Sequence, residues 1–189
     1  MVELSSASVV THMMMAPAMT PGSITGATTL RKERSGGTPR LMEANQRATA
    51  LLIQGLTVEG LPGWDGGRSQ TLRYIDWSTP ANNRLTVVNQ YRVDCPPGFN
   101  SAKAFIVPDL VLLVNGIPLV VVECKSPSIP EPLAEAVDQL RRYSNQRKAA
   151  FEVEENEGNE PLCASVQLLI ASSYDEARVG CIGAGFAHF

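Results

Sequence analysis

Histidine and cysteine are scarce in these 189 residues, and what there is of them is scattered. Only His12 and His188 are present, and Cys95, Cys124, Cys163 and Cys181 form no CxxC pair. A zinc site therefore has almost no ligands to draw on, and a disulfide framework is not suggested. The cysteines read as reduced thiols of a cytoplasmic protein. No apolar run approaches the roughly 18 residues that a membrane span needs, so no membrane is expected. A basic stretch followed by an apolar one is missing from the N-terminus, which argues against a secretory signal. No G-x-x-x-x-G-K-[ST] occurs, since Lys125-Ser126 follows Glu-Cys and lies in no glycine loop. Ser126 has no histidine near it in sequence, so a hydrolase triad is not supported.

What is there is ordinary for a globular chain: 44% apolar, 19% charged and 6% aromatic residues. The net charge of -3 misleads. Residues Glu152 to Glu160 hold five acids and no base, which leaves the remainder at +2. That run reads as a solvated loop, and bulk charge neither supports nor excludes a nucleic-acid partner.

Residues 1–40 differ from the rest. They are rich in Ser, Thr, Met, Gly and Pro, carry a small basic cluster at Arg31, Lys32 and Arg34, and lack hydrophobic periodicity. This segment is expected to be disordered, with a folded domain over residues 41–189. A first helix is expected from Leu41, with Leu41, Ala44, Ala48, Leu51 and Leu52 on one face and Gly55 as C-cap. Residues 59–67 and 95–101 read as loops. T-L-R-Y-I-D-W and R-L-T-V-V-N-Q-Y-R-V-D read as strands. The glycines at 63, 66 and 67 form no nucleotide fingerprint. Trp64 and Trp77 sit beside loops, where a base could stack on them, although packing against a sheet is the commoner fate.

The centre of the chain is the most informative. A-F-I-V-P-D-L-V-L-L-V-N-G-I-P-L-V-V-V-E-C-K-S-P is two apolar runs joined at Asn115-Gly116, a strong hairpin signal, and both its faces are expected to be covered. A helix over residues 131–149 and a buried strand at V-Q-L-L-I-A-S follow. No internal repeat is visible. The fold class is α/β or α+β, a central mixed sheet flanked by helices on both faces.

Three charges interrupt this apolar ribbon: Asp109, Glu123 and Lys125. Ionised groups in buried strands cost several kcal/mol unless paired or bound to a metal. Glu123 and Lys125 share a face because they are two apart. Asp109 joins them if it pairs with Glu123, which puts Val114 opposite Pro118 across a three-residue loop of Asn115, Gly116 and Ile117. A tight two-residue loop would turn Asp109 to the other face. Two neighbouring carboxylates suit a hard divalent cation such as Mg²⁺. The Cys124 backbone carbonyl is a third candidate oxygen, with the Cys124 thiol then pointing into the core. A metal, an activated water and an ammonium are the parts needed for phosphodiester hydrolysis. The spacing fits equally a buried ion pair without catalytic role.

Pro108-Asp109 with Glu123-Cys124-Lys125 resembles the PD-(D/E)XK nuclease motif. The context is more specific. R-Y-I-D-W, A-N-N-R-L-T-V-V-N-Q-Y, P-D-L-V-L-L-V-N-G-I-P-L-V-V-V-E-C-K-S-P and the late L-L-I-A-S-S-Y-D-E-A-R-V-G-C-I-G-A-G together resemble the N-terminal nuclease domain of the restriction (R) subunit of type I restriction–modification enzymes. The resemblance runs from about Leu41 to Phe189, and residues 1–40 do not share it. It implies a restriction-endonuclease-like core and a Mg²⁺-dependent endonuclease that hydrolyses double-stranded DNA with a metal-activated water. It implies Asp109 and Glu123 as metal ligands and Lys125 as the catalytic lysine. Gln139 and Tyr143 match the family's Q-x-x-x-Y helix motif, shared with RecB-like nucleases, and lie on one helix face. Glu43 matches an acidic residue such nucleases place near the metal, though an exposed helix glutamate would look the same. Arg141 and Arg142 flank the motif, and Arg142 is the candidate phosphate contact. Methyltransferase and specificity subunits are the implied partners. ATP enters only if a motor domain belongs to a longer chain. A non-catalytic DNA-binding or assembly module and a RecB-like exonuclease are the competing readings.

Overall fold

The structure is a computed structural model that describes residues 37–60, 63, 65–94, 104–145 and 158–189. The expectations for residues 1–36, Trp64, Cys95 and most of the acidic run lie outside the described residues.

Helix α1 spans Gly37–Gln54, starting four residues before Leu41. Leu41, Ala48 and Leu52 are buried on one stripe, and Met42 and Ala44 pack beside them. Gly55 ends it as the sequence suggests: its φ of +79° is a left-handed conformation that glycine adopts freely, and its N–H donates to Leu51 O at 2.8 Å. Two short strands follow and pair with each other, β1 (Leu56–Val58) and β2 (Gln70–Leu72). The predicted strand over Thr71–Trp77 therefore stops early. Residues 74–84 instead form a loop knitted by polar groups. Asp76 Oδ1 accepts from the Ser78 hydroxyl at 2.6 Å and from the amides of Ser78 and Thr79, while its Oδ2 accepts from Asn82. Trp77 ties this loop to α1 through its indole N–H, which donates to Leu52 O at 2.8 Å, while the ring stays 56% exposed.

The main sheet has five strands in the order β3-β6-β7-β8-β9. These are β3 (Leu85–Asn89), β6 (Leu110–Val114), β7 (Ile117–Cys124), β8 (Leu168–Ser173) and β9 (Glu176–Gly180). Only β7 and β8 run parallel, so the sheet is mixed. The predicted strand from Arg84 to Asp94 breaks after Asn89. It resumes as β4 (Val93–Asp94), which pairs with β5 (Phe105–Ile106). Helix α2 spans Pro132–Tyr143 and packs on β7 and β8. Its buried residues Leu133, Ala136, Val137, Leu140 and Tyr143 follow helical spacing. The helix ends at Tyr143, and residues 146–149 of the expected span lie outside the described residues. Asn159 N–H takes the Tyr143 carbonyl at 2.8 Å, and Asn145 turns the chain with a φ of +53°. A short helix α3 (Glu160–Cys163) then leads into β8.

The β6–β7 turn differs from expectation. Val114 pairs with Ile117, so the loop is the tight Asn115–Gly116 pair with φ of +54° and +83°. On its own this register would turn Asp109 away from Glu123. A bulge between Leu112 and Leu113 shifts the pairing by one residue, and beyond it Leu112 faces Val120, Val111 faces Val121 and Leu110 faces Val122. Carried one step beyond the last pair, this register sets Asp109 opposite Glu123, the side that a three-residue loop would also have given, and the Cys124 N–H donates to Asp109 Oδ2 at 2.8 Å. Pro118 stands next to the bulge, one of the few places a strand accepts proline.

The two faces of the sheet are unequal. Val111, Val121, Glu123, Leu169 and Ala171 face inward and are buried against α2 and the start of α1. Leu110, Leu112, Val120 and Val122 on the other face are only half-buried, so the hairpin is not covered equally on both sides. A second, smaller cluster of Leu52, Ile75 and Ile117 closes that outer face at the hairpin tip. Among the described residues, no helix is long and apolar enough to cross a membrane.

Candidate active site

The inner face ends in a row of polar side chains at the open end of the hairpin. Glu123 is 2% exposed although it is a carboxylate. Lys125 Nζ donates to Glu123 Oε1 at 3.0 Å and to Gln139 Oε1 at 2.5 Å. An ammonium has donors only, which fixes the Gln139 amide: its oxygen faces Lys125 and its nitrogen donates to the Tyr143 hydroxyl at 2.6 Å. The hydroxyl then directs its own proton toward Glu123 Oε2 at 3.2 Å and Val107 O at 3.1 Å. Both Glu123 oxygens are thus addressed, one by Lys125 and one by Tyr143.

Asp109 stands beside this chain, just before β6. Its Oδ2 accepts from the Cys124 N–H at 2.8 Å and its Oδ1 from Gln90 Nε2 at 2.7 Å. Burial pushes the Glu123 pKa up, and the Asp109 charge adds to that rise. Lys125 opposes it by hydrogen bond and by charge, and the Tyr143 hydroxyl opposes it further. Burial likewise pushes the Tyr143 phenol far above its ordinary value, so it stays a neutral donor. The cluster of Asp109, Glu123 and Lys125 holds more negative than positive charge, in partly dry surroundings.

A divalent cation fits this donor set. Mg²⁺ is commonly held by one or two carboxylates with waters completing its shell. Among the described residues no group of three or more His, Cys, Asp or Glu side chains stands ready for a metal, so a cation here would have only Asp109 and Glu123 as side-chain donors. The Cys124 carbonyl is oriented to join them, because in an extended strand the N–H and C=O of one residue point to the same edge, and this N–H points to Asp109. The Cys124 thiol does not enter the core as expected. Cys124 is exposed, since its side chain falls on the outer face, which nothing fully covers at this end.

The remaining candidates are placed differently. Glu43 is exposed on α1, and among the described residues no hydrogen bond or ion pair joins it to the cluster. Arg142 is half-buried and pairs with Asp138 at 3.6 Å along α2. Gln90 was missed by sequence reasoning, because only the β3–β6 register reveals it. The β3–β6 register puts Asn89 opposite Leu110, so the next step puts Gln90 opposite Asp109.

A family model for the type I restriction enzyme R protein N terminus matches residues 18–185. The chain belongs to that family. The match begins ahead of the Leu41 boundary, taking in residues that the composition set apart. The type I restriction enzyme HindI endonuclease subunit of Haemophilus influenzae is 32% identical over 149 residues, which are 79% of this chain and 12% of that relative. The type I R-protein domain described here thus spans about an eighth of the length of the relative it matches. Its R-Y-I-D-W and A-N-N-R segments are structural: Asn83 and Asn115 bridge the Tyr74–Arg84 loop to the hairpin tip, far along the strands from Asp109 and Glu123.

Proposed function

We propose that this domain is a Mg²⁺-dependent DNA endonuclease, the cutting module of a type I restriction enzyme R subunit. The observation that supports it most is the meeting of Asp109 and Glu123 on one sheet face, with Lys125 hydrogen-bonded to Glu123 and steadied by Gln139. Burying the Glu123 carboxylate beside a second, half-buried carboxylate at Asp109 is costly, and a structural ion pair with Lys125 needs only one of them. Asp109 and Glu123, with the Cys124 carbonyl, would hold the cation. Bound there, a divalent cation supplies a positive centre that lowers the pKa of water and offsets phosphate charge. Lys125 orients the attacking water and stabilises charge that develops on the phosphate. Tyr143 and Gln139 keep Glu123 and Lys125 in place, so that the site is built before DNA arrives. The water oxygen bonds to phosphorus as the P–O bond to the leaving sugar oxygen breaks. The proton lost by water passes to solvent, and the leaving oxygen takes up a proton from solvent, while Lys125 remains an ammonium that donates to Glu123.

The substrate on this reading is double-stranded DNA. Target recognition and methylation belong to separate specificity and methyltransferase subunits, and ATP-driven movement to a motor outside these residues. The test is cleavage of supercoiled plasmid in Mg²⁺ by the wild type and by Asp109→Ala. Wild-type cutting that drops at least about 100-fold in the variant supports the proposal. Equal cutting by both, or none by either at any protein concentration, counts against it. Cutting of linear but not circular DNA would point instead to an exonuclease.

A further inference from the structure

We infer that Gln90 is a positioning residue that sets the Asp109 carboxylate for its cation, an inference that rests on the nuclease reading above. The regular β3–β6 ladder ends at the pair Asn89–Leu110. Gln90 then adopts a left-handed backbone, with φ of +51°. The chain nevertheless stays clamped to the segment before β6. Gln90 N–H donates to Asp109 O at 2.7 Å, and Tyr91 N–H donates to Pro108 O at 3.0 Å. A non-glycine residue holds that conformation only when its surroundings impose it, and such positions gather at functional sites. Here the outcome is that the Gln90 amide lands on Asp109 Oδ1 at 2.7 Å.

The other Asp109 oxygen accepts from the Cys124 N–H of the neighbouring strand at 2.8 Å. Donors on two sides, from β7 and from the chain just past β3, therefore fix the plane of one carboxylate. Rotation of the carboxylate would break both bonds. A carboxylate oxygen has two lone pairs, so each still keeps one for a cation. The choice of a neutral amide also matters. An arginine or lysine at this place would neutralise Asp109 and compete with the cation, whereas glutamine orients the charge without cancelling it.

The experiment compares wild type with Gln90→Met, which keeps the length and removes the donor, and with Gln90→Asn, which tolerates a positive φ and falls short of Asp109. In metal-free, ¹⁵N-labelled protein the Cys124 amide is followed by chemical shift and by exchange with solvent. Losing the Gln90 bond frees Asp109 to rotate, so both variants move the Cys124 resonance and speed its exchange several-fold. Mn²⁺ affinity, read by its electron spin resonance signal, falls about tenfold, as expected for a residue that orients a ligand. With DNA as substrate the loss falls on kcat and leaves KM within about twofold. An unchanged Cys124 amide in both variants overturns the inference. So does an unchanged Mn²⁺ affinity beside a wild type that binds the ion. A wild type that binds no Mn²⁺ refutes the nuclease reading, and the Cys124 amide still decides whether Gln90 positions Asp109.

Discussion

Glu123 carries its charge against the preference of its surroundings. It is buried, it faces Asp109, and both effects push its pKa up, with Lys125 and Tyr143 restoring only part of the balance. A group whose folded pKa is raised in this way weakens the fold when it is ionised. Replacing it with a neutral side chain of the same shape should therefore help folding while removing the proposed nuclease activity. Glu123→Gln is expected to gain on the order of 1 kcal/mol in urea unfolding of the metal-free protein, and to abolish plasmid cleavage. A variant that is less stable than wild type would show that the Lys125–Glu123 pair is worth more than its desolvation.

Asp76 shows the opposite case. Hydrogen bonds from Ser78, Asn82 and Thr79 hold its pKa down at about 2, below the ordinary 3.8. Its contribution to stability is complete above the unfolded value and is lost as pH falls from near 4 toward 2. Thermal midpoints of wild type and Asp76→Ala should thus differ at pH 7 and converge near pH 2. A constant gap across that range would mean that shape, and not charge, makes the loop.

At the scale of elements, the hairpin decides whether a site exists at all. A one-residue slip moves every side chain of a strand to the other face. The tight Asn115–Gly116 turn and the bulge between Leu112 and Leu113 each shift the register, and together they return Glu123 to Asp109's side. Asn115 pins that turn. Its Nδ2 donates to Tyr74 O and to Asn83 Oδ1, its Oδ1 accepts from Arg84 N–H, and its own backbone has a φ of +54°. Asn115→Ala removes these bonds and leaves the strained backbone, so it should cost about 2 kcal/mol in urea unfolding, even though the residue is exposed. A cost under about 0.5 kcal/mol, typical of surface changes, would refute the pinning role.

The same hairpin marks how far the sequence could be read. The apolar runs, the Asn-Gly turn and the three charges were visible, because alternation and composition encode burial directly. The bulge was not, since a three-residue loop gives the same pairing of Asp109 with Glu123. Pro118, which a regular central strand does not accept, was the overlooked sign. Gln139 and Tyr143 were legible through the resemblance to the family's Q-x-x-x-Y motif, whose i, i+4 spacing puts them on one helix face. Gln90 was not, because its role depends on the β3–β6 register, which no local pattern encodes. The length of α2 was overread for a related reason: Asn159, sixteen residues further on, takes the Tyr143 carbonyl that another turn of helix would have used.

For the molecule as a whole, the asymmetry of the sheet separates what holds the fold from what surrounds it. The inner face joins α2, α1 and the C-terminal Ile182 and Phe189 into one core, and the candidate site is the polar end of that face. The outer face is apolar without being enclosed: Leu85 is 74% exposed, Val87 64%, Val179 50% and Leu168 44%. An apolar side chain contributes to stability in proportion to the area it removes from water, so alternate residues of one sheet should differ sharply in cost. Val87→Lys, on the outer face of the edge strand β3, is expected to change stability by less than about 0.5 kcal/mol. Val121→Ala, 1% exposed on the inner face of β7, should cost about 2 kcal/mol through lost contacts and the cavity left behind. Because Val87 points away from the row that carries Asp109 and Glu123, its replacement should also leave plasmid cleavage at the wild-type rate. Equal destabilisation of the two variants in urea would mean that the outer face is enclosed in solution.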